Sequence, residues 1–369
     1  MSDSDEVAWV PFNDLSRSIA GSRAELVASF AAVLDSGWLV QGPQHDAFER
    51  ELAAYVGVTH ALGVACGTDA LELALRAVMP AGKKTVVTAA NCGAYTLTAA
   101  RRAGFGVRFG DIDPVTLCLD PEAVTEAIDD SVGVVVVTHL YGRAADVKAL
   151  RLVCDPRGIA VVEDCAQALG ATGQDGRVGA LATAAAVSFY PTKNLGALGD
   201  GGAVLTSSDA VAVAVRELRQ YGWRGKYTIA TDGGRNSRLD EVQAAILRNR
   251  LPGLDAANAR RRAIISAYAA RSSARVRVLD ASGQGHVGHL AVVLCEDRDL
   301  LRAHLAALRI RTDIHFPVPD HRQPAFAREF AAVDLPVTEW AAERILSVPN
   351  FPELTTTEVE RVCAALESF

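Results

Sequence analysis

Short apolar runs alternate with amphipathic stretches between about residue 59 and residue 206. The segments "KTVVTAA", "GVVVVTHL", "GIAVVED", "AAAVSFY" and "GGAVLTS" predict strands, and "DALELALRAV" and "PEAVTEAIDD" predict helices. Continuous apolar runs such as Val134 to Val137 are typical of strands that are covered on both faces. The pattern therefore predicts an α/β fold in which a mostly parallel sheet is sandwiched by helices.

A helical region follows this alternation. It begins with "SDAVAVAVRELRQYG", where Ser207 or Ser208 is the candidate N-cap, and continues through "NSRLDEVQAAILRNRLPGLDAANARRRAIISAYAARSS" with a break near Pro252. The strands "RVRVLD" and "HLAVVLCE", the helix "RDLLRAHLAALR" and a last helix from Thr355 then predict a smaller α+β unit. We predict a large domain over residues 1–250 and a small C-terminal domain over residues 251–369.

Composition narrows the class of protein. The chain has 369 residues, half of them hydrophobic, and a net charge of −7 with its Lys and Arg dispersed, so we expect no nucleic-acid partner. No run approaches the roughly 18 apolar residues of a membrane span, and the acidic N-terminal stretch lacks the apolar core of a signal peptide. We expect a cytoplasmic protein without a membrane partner, whose dispersed cysteines are reduced thiols.

Two turns after predicted strands carry groups that suit a charged, flat ligand. In "CGTDAL", Gly67 and Thr68 present backbone N–H groups at a helix N-terminus, which is a seat for phosphate or carboxylate. In "VVEDCAQALGA", a strand runs into Glu163 and Asp164, and Gln167 follows three residues later, so a carboxylate held there could meet a cationic ring nitrogen. A simple helix cap remains the alternative explanation at both turns.

Two further turns add a lysine and an amide. The chain has few lysines, and Lys193 lies among glycines in "SFYPTKNLGALGDGGA", five residues after Ser188, where a partly desolvated amine could form an imine. In "GGRNSRLDEVQAAIL", Asn236 stands at the predicted start of a helix. An exposed loop lysine and an N-cap asparagine are the respective alternatives.

Pyridoxal 5'-phosphate requires such parts together. Its phosphate needs an anchor, its aldehyde needs a lysine amine, and its pyridinium nitrogen needs an acid so that the ring can accept electrons from a carbanion. The four turns supply an anion seat, a carboxylate for a ring nitrogen, an imine-forming lysine and a further polar cap in one chain. The combination predicts a vitamin B6 enzyme, and no metal site is predicted.

Six segments carry a likeness to a known family: "GTDALELAL", "FGDIDPVTLCLDPEAV", "THLYGRAADV", "VVEDCAQALGA", "SFYPTKNLGALGDGGAV" and "GRNSRLDEVQAAIL". In this order and at these separations they resemble the DegT/DnrJ/EryC1/StrS aminotransferases. The likeness runs from "VPFNDL" to the last helix. It implies a fold-type I, pyridoxal phosphate-dependent enzyme that aminates keto sugars, often nucleotide-linked ones, with L-glutamate as the usual amino donor.

The resemblance also implies roles for single residues. Lys193 matches the lysine that binds the cofactor aldehyde and moves the proton, Asp164 the acid at the pyridine nitrogen, and Gln167 a side chain at the phenolic oxygen or ring face. Asn236 matches a residue that reaches the phosphate from the neighbouring subunit, which implies a homodimer with shared active sites. The matches for phosphate binding are Gly67, Thr68 and Ser188, and those for sugar contact are His315 and His321, for which a merely structural role is the alternative.

Two departures from the family pattern bear on the substrate. Gly93 in "NCGAYTLT" stands where many members have an aromatic residue that stacks on the pyridine ring, which leaves Tyr95 as the candidate. Asp200 stands where many 4-aminating members have Glu, so we predict 3-amination of a dTDP-3-keto-6-deoxyhexose, with 4-amination of a dTDP-4-keto-6-deoxyhexose as the alternative.

Other classes are weighed against this prediction. A dehydratase of the same family is disfavoured because those relatives typically replace the lysine. A cofactor-binding regulator without catalysis is a distant alternative, since no basic helix-turn-helix extension is present. A nicotinamide oxidoreductase would need "GQGHVG" to lie between a strand and a helix, whereas a strand follows it.

Overall fold

The computed structural model describes residues 8–173 and 175–369. The predicted large domain thus begins in residues 1–7, which lie outside the described residues. The strands are β1 (His60–Val64), β2 (Thr85–Thr88), β3 (Gly106–Phe109), β4 (Val132–Thr138), β5 (Ala160–Asp164), β6 (Thr172–Gly173), β7 (Gly176–Arg177), β8 (Ala184–Ser188), β9 (Gly202–Thr206), β10 (Trp223–Gly225), β11 (Thr228–Ile229), β12 (Arg277–Val278), β13 (Ala291–Leu294) and β14 (Ile345–Val348).

The α-helices surround these strands and connect them. They are α1 (Leu15–Gly21), α2 (Arg23–Ser36), α3 (Pro43–Val56), α4 (Gly67–Val78), α5 (Tyr95–Arg102), α6 (Pro121–Ala127), α7 (Val147–Cys154), α8 (Asp209–Leu218), α9 (Glu241–Arg250), α10 (Leu254–Arg271), α11 (Arg298–Ala307), α12 (Pro336–Arg344) and α13 (Thr356–Ser368). Within the described ranges, no helix combines the length and the apolar character needed to cross a membrane.

A seven-stranded sheet forms the centre of the molecule, in the order β1-β9-β8-β5-β4-β2-β3. The strand β9 is antiparallel to both of its neighbours, β1 and β8. The remaining neighbouring pairs are parallel. The predicted strands of the first half of the chain all lie in this sheet, and the predicted fold class is confirmed.

The strand β4 shows why the sheet is covered on both faces. Every residue of β4 is buried, and alternate valines point into different hydrophobic clusters. Val134 and Val136 pack in a cluster that includes α4, whereas Val135 and Val137 pack in a cluster that includes α7. Because successive side chains of a strand point to opposite faces, a continuous valine run requires an apolar partner on each side.

The C-terminal part builds a separate core around the antiparallel sheet β12-β13-β14. Its buried cluster joins residues of α10, α11 and α13 to this sheet, and Val10 from the start of the chain belongs to the same cluster. A single 3₁₀ turn, Leu251–Gly253, separates α9 from α10, so the predicted break near Pro252 is confirmed. The division into domains at residue 250 stays a prediction.

Candidate functional site

A cavity of about 670 Å³ opens beyond the carboxyl ends of β5 and β8. We call one part of its lining the sheet wall, which consists of Gly67, Thr68, Asp164, Gln167, Ser188 and Lys193. Another part, the C-terminal wall, consists of Arg261, His289, Asp313, His315, Phe316 and Asn350. Ligands of open α/β sheets bind at this end of the strands, where the chain leaves the sheet.

Most of the predicted site residues meet at this cavity. Its lining includes Gly67, Thr68, Tyr95, Asp164, Gln167, Ser188, Lys193 and His315, and it does not include Asn236 or His321. These residues come from distant parts of the sequence, so their meeting in space was not dictated by any single motif.

The N-terminus of α4 forms the anion seat of the sheet wall. The N-cap of α4 is Cys66, whose sulfur accepts a hydrogen bond from the Asp69 N–H, so capping by Thr68 or Asp69, the simple alternative, is wrong. Gly67 and Thr68 thereby occupy the first turn, where backbone N–H groups have no acceptor within the helix. A Cβ added at Gly67 would lie 2.6 Å from the Ser188 Cβ, so only glycine allows this close approach.

Asp164 is a buried carboxylate at the end of β5. Its Oδ1 accepts a hydrogen bond from the Ala166 N–H at 3.0 Å, and its Oδ2 accepts one from the Thr138 hydroxyl at 3.5 Å. Burial raises the pKa of this carboxyl, while the Ala166 hydrogen bond and the charge of Lys193 lower it. No helix begins at Asp164, which ends a strand, so the helix-cap alternative is wrong.

Glu163, the neighbouring acid, points to the opposite side of the strand. Its carboxylate accepts N–H groups of Gly179, Leu181 and Ala182 at 2.9 to 3.0 Å. His139 Nδ1 accepts the Ala145 N–H, so Nε2 carries the ring proton and donates it to Glu163 at 3.0 Å. Glu163 is therefore a fully hydrogen-bonded structural group.

Gln167 has a fixed amide orientation. Its Oε1 accepts the Tyr141 N–H at 2.7 Å, which assigns oxygen and nitrogen and turns the amide NH₂ group away from that contact. Since Gln167 lines the cavity, its NH₂ group is available to donate to an anionic oxygen of a ligand.

Lys193 follows a turn closed by the hydrogen bond from its own N–H to the Tyr190 carbonyl at 2.8 Å. Its ammonium group is largely withdrawn from water, and this burial lowers its pKa, although the nearby charge of Asp164 raises it. An amine with a lowered pKa is more often in the unprotonated form that attacks an aldehyde. The alternative of an exposed loop lysine is therefore wrong.

The surroundings of Gly93 explain why this chain lacks the aromatic residue that many family members have at this position. Gly93 has φ +74°, and a Cβ placed there would lie 3.0 Å from both the Phe316 ring and the Tyr95 ring. These two rings pack edge to face, with centroids 6.1 Å apart, and both line the cavity. Aromatic side chains from two other positions thus fill the space that an aromatic residue at position 93 would need.

In the C-terminal wall, His315 packs against other segments. Its Nδ1 lies 2.9 Å from the Ser347 hydroxyl, and its ring stacks on Phe12 with centroids 5.6 Å apart. Burial lowers the pKa of this imidazole, so it is neutral near pH 7. The Tyr141 hydroxyl donates to the His315 carbonyl at 2.5 Å, which ties this wall to the segment that holds Gln167.

The two predicted residues outside the lining have different surroundings. Asn236 is exposed and pairs in a β-bridge with Gln220, while α9 begins five residues later at Glu241, so the N-cap alternative for Asn236 is wrong. His321 is fully buried, and its Nε2 lies 3.0 Å from the Glu339 carboxylate. In this structure His321 therefore touches another helix instead of the cavity.

Several lining residues were not found by sequence reasoning, notably Phe12, Arg261, His289, Phe316 and Asn350. Phe316 lies beside the predicted site residue His315 in "TDIHFPVPDH". The sequence thus pointed to this segment, but Phe316 itself was not predicted as a site residue. Arg261 is the middle residue of three consecutive arginines, a pattern that does not reveal which of them is buried.

The residues present fit pyridoxal 5'-phosphate. The N-terminus of α4 and Ser188 offer donors to a phosphate, Asp164 offers a carboxylate to a ring nitrogen, and the Gln167 amide offers a donor to a ring oxygen. Lys193 supplies an amine of lowered pKa in the same cavity. The site thus has one suitable group for each polar part of this cofactor.

Comparison with known proteins agrees with this fit. The DegT/DnrJ/EryC1/StrS aminotransferase family model matches residues 21–367. A dTDP-3-amino-3,4,6-trideoxy-alpha-D-glucose transaminase of Streptomyces venezuelae is 42% identical, covering 100% of this chain and 98% of its own. The erythromycin biosynthesis sensory transduction protein EryC1 of Saccharopolyspora erythraea is 40% identical, covering 97% and 99%.

A solved structure is also similar. The crystal structure of S. venezuelae DesV in complex with a ketimine intermediate has a TM-score of 0.93 and 40% identity, covering 98% of both chains. Fold and site together define the class as that of the sugar aminotransferases, which are enzymes. The chain belongs to the DegT/DnrJ/EryC1/StrS aminotransferase family. The predicted family, enzyme class and pyridoxal 5'-phosphate cofactor are thereby confirmed.

Proposed function

We propose that the protein transfers an amino group from L-glutamate to carbon 3 of a dTDP-linked 3-keto-6-deoxyhexose. The observation that carries the proposal is the cavity in which Lys193 and Asp164 meet, in a chain whose full length matches the S. venezuelae transaminase of a dTDP-3-amino sugar. Asp200, the residue that favoured 3-amination in the sequence, also lines this cavity.

The sheet wall would hold the cofactor. Gly67, Thr68 and Ser188 would bind its phosphate, and Gln167 would donate to its phenolic oxygen. Asp164 would present its buried carboxylate to the ring nitrogen, away from water. When bound, the cofactor supplies an electron sink for the carbon that loses its proton.

Lys193 moves the proton in both halves of the reaction. In the first half, Lys193 Nζ would take the proton from the α-carbon of L-glutamate, whose nitrogen would stay with the cofactor while water supplies the keto oxygen of the released 2-oxoglutarate. In the second half, the ammonium of Lys193 would give a proton to the sugar carbon that receives the nitrogen, and the keto oxygen of the sugar would leave as water. A base must regain its neutral form between these steps, and the lowered pKa of Lys193 favours that form.

The assembly that we propose is a homodimer with shared active sites. A row of apolar side chains on α2 is exposed, namely Val27, Phe30 and Leu34, and Trp38 and Leu39 continue it. Their spacing places the helical members on one face, which is typical of a helix that packs against another surface. Asn236 is exposed and does not line the cavity of its own chain, which is consistent with a role at the cavity of a second subunit.

The experiment follows the two half-reactions separately. Protein loaded with pyridoxal phosphate should change its visible absorption when L-glutamate is added and should release 2-oxoglutarate. The amine form should then convert a dTDP-3-keto-6-deoxyhexose, and NMR of the product should place nitrogen on carbon 3. Faster conversion of a dTDP-4-keto-6-deoxyhexose would overturn the proposed position and favour the 4-amination alternative.

The same experiment tests the distant alternative of a regulator without catalysis, to which the name of the EryC1 relative gives some support. A regulator would bind the cofactor and yet give no 2-oxo acid with any amino donor. For the oligomer, sedimentation equilibrium should give twice the 39.0 kDa mass of the chain. A monomer that retains full activity would refute shared active sites.

A further inference from the structure

Arg261 is a buried cation without an acidic partner. Its side chain on α10 is 7% exposed, and Nη1 donates a hydrogen bond to the Asn350 carbonyl at 2.7 Å. Nε has no hydrogen-bond partner, and no carboxylate among residues 8–173 and 175–369 forms an ion pair with this guanidinium. Burial lowers its pKa to about 10, so Arg261 still carries its charge near pH 7.

The contrast with another buried arginine shows how unusual this is. The side chain of Arg219 is 8% exposed, and its guanidinium pairs with the Glu49 carboxylate. Burying a charge costs free energy unless a partner of opposite charge and hydrogen bonds compensate for it. Arg261 lacks the compensation that Arg219 has, and Glu353, which raises the Arg261 pKa, forms no ion pair with it in the described part of the chain.

Arg261 lies where it can meet a ligand of the active site. It lines the cavity that contains Lys193 and His289, and burial together with the charges of Lys193 and Arg261 lowers the pKa of His289. His289 is therefore neutral and does not compete for an anion. Arg261 also lines a neighbouring cavity of about 480 Å³, which shares Lys193 with the first.

The unsatisfied atoms suggest the chemistry of the ligand. Nη2 of the guanidinium has no hydrogen-bond partner among the described residues, so its N–H groups can donate to a carboxylate at the cavity, whereas Nε is buried without a partner, as is Nε of Arg219. L-Glutamate, the proposed amino donor, carries two carboxylates that could meet this cation.

We propose that Arg261 binds a carboxylate of the amino donor. This inference rests on the proposed function, since it assigns a residue to the glutamate of the first half-reaction. A nucleotide diphosphate is the other anion in the reaction, but it carries more charge than one guanidinium edge compensates. Arg261 is thus a specificity-determining residue for the donor and not for the sugar nucleotide.

The test compares Arg261→Gln and Arg261→Lys with Arg260→Gln. Arg260 is the matched control, because it is on the same helix and donates to a backbone carbonyl, that of Leu354, without lining the cavity. In single-turnover absorbance measurements, Arg261→Gln should raise the L-glutamate concentration for half-maximal rate by about 10- to 100-fold, since a charge-assisted hydrogen-bond pair is lost. Arg261→Lys should show a smaller increase, and Arg260→Gln should show none.

The second half-reaction distinguishes the donor from the sugar. When the amine form of Arg261→Gln is mixed with the nucleotide-linked keto sugar, its rate should stay within about threefold of the wild type, because no donor is present. Glutarate, which has two carboxylates and no amine, should compete with glutamate in the wild type and much less in Arg261→Gln. This competition reports binding and does not depend on turnover of the variant.

The possible failures are distinct. Unchanged glutamate dependence in a folded Arg261→Gln protein would overturn the inference and leave the proposed function intact. If Arg261→Gln lost rate only in the half-reaction with the sugar nucleotide, the inference would be overturned, and Arg261 would be assigned to the diphosphate of that substrate. If the wild type does not respond to glutamate at all, the proposed donor is wrong and the inference fails with it.

Discussion

The sheet wall and the C-terminal wall of the cavity are built in different ways. The sheet wall places Asp164 and Ser188 at the last positions of two neighbouring strands, and Lys193 follows a few residues after Ser188. The C-terminal wall gathers Arg261 from a helix, His315 from an irregular segment and Asn350 from the residues after β14. Its partners include Phe12, more than three hundred residues away in sequence.

The two walls also differ in the sign of their most buried charged group. Asp164 is the buried anion of the sheet wall and Arg261 the buried cation of the C-terminal wall, whereas Lys193 on the first wall and Asp313 on the second are less buried. Burial acts on both, since it raises the pKa of the acid and lowers that of the base. A cavity with opposite charges on separate walls can orient a cationic ring towards one side and an anionic substrate towards the other.

The largest effect is expected on the sheet wall at Lys193. Lys193→Ala should lower the rate of transamination by more than about 10⁴-fold, because in the proposed mechanism the same amine accepts and donates the proton in both halves. Turnover would be measured as 2-oxoglutarate release, with Lys148→Ala as control, since Lys148 is exposed and pairs with Asp175. Substantial multiple turnover by the Lys193 variant would refute the assignment.

A smaller loss is expected at the acid of the same wall. Asp164→Asn preserves an oxygen for the Ala166 N–H but cannot carry a negative charge, so the rate should fall by about 10²- to 10³-fold. The absorption of the bound cofactor should also change, which separates this role from a general loss of structure. Asp155→Asn, at an exposed ion pair with Arg151, should leave both measurements unchanged.

The smallest effect concerns Asp320, which connects the segment after Phe316 to the segment before α5. Asp320 is buried beside the C-terminal wall, and its Oδ1 accepts the Ala94 N–H at 2.7 Å, next to Tyr95. Burial raises its pKa from 3.8 to about 7, although the Ala94 hydrogen bond lowers it. The nearby groups that it influences, Cys92 and Tyr95, have raised pKa values and stay neutral.

This shift predicts a pH dependence of stability. Between about pH 4 and pH 7 the folded protein keeps the Asp320 proton that the unfolded chain has lost, so stability falls as the pH rises through this window. Asp320→Asn does not titrate, and its unfolding free energy relative to the wild type should rise by more than about 1 kcal/mol from pH 5 to pH 8. Denaturant unfolding at both pH values measures the difference. If the difference in unfolding free energy between Asp320→Asn and the wild type were the same at both pH values, the raised pKa of Asp320 would be contradicted.

The comparison of the walls also shows what could be predicted from sequence. Asp164, Gln167 and Lys193 lie in short motifs beside strands, and the parallel sheet brings such strand ends to one edge regardless of the rest of the chain. For this reason the sheet wall was predicted almost completely. Asn236 and His321 were predicted from the family likeness, and the first is exposed while the second contacts Glu339.

The C-terminal wall was largely missed for a physical reason. Its residues are positioned by packing between segments that are far apart in sequence, and the local pattern of each segment is that of an ordinary helix or loop. The Phe316 and Tyr95 rings replace an aromatic residue at position 93 only because two distant loops pack together.

The sequence alone determined the class of fold and the cofactor and predicted the lysine, because hydrophobic periodicity and the turns after strands are local properties of the chain. Tertiary structure decided which of three consecutive arginines faces the cavity. Arg260 and Arg262 are partly exposed on α10, whereas Arg261 points inward between Asn350 and the close-packed Gly288. A helix places successive side chains on different faces, and only the contacts made by the folded chain determine which face is buried.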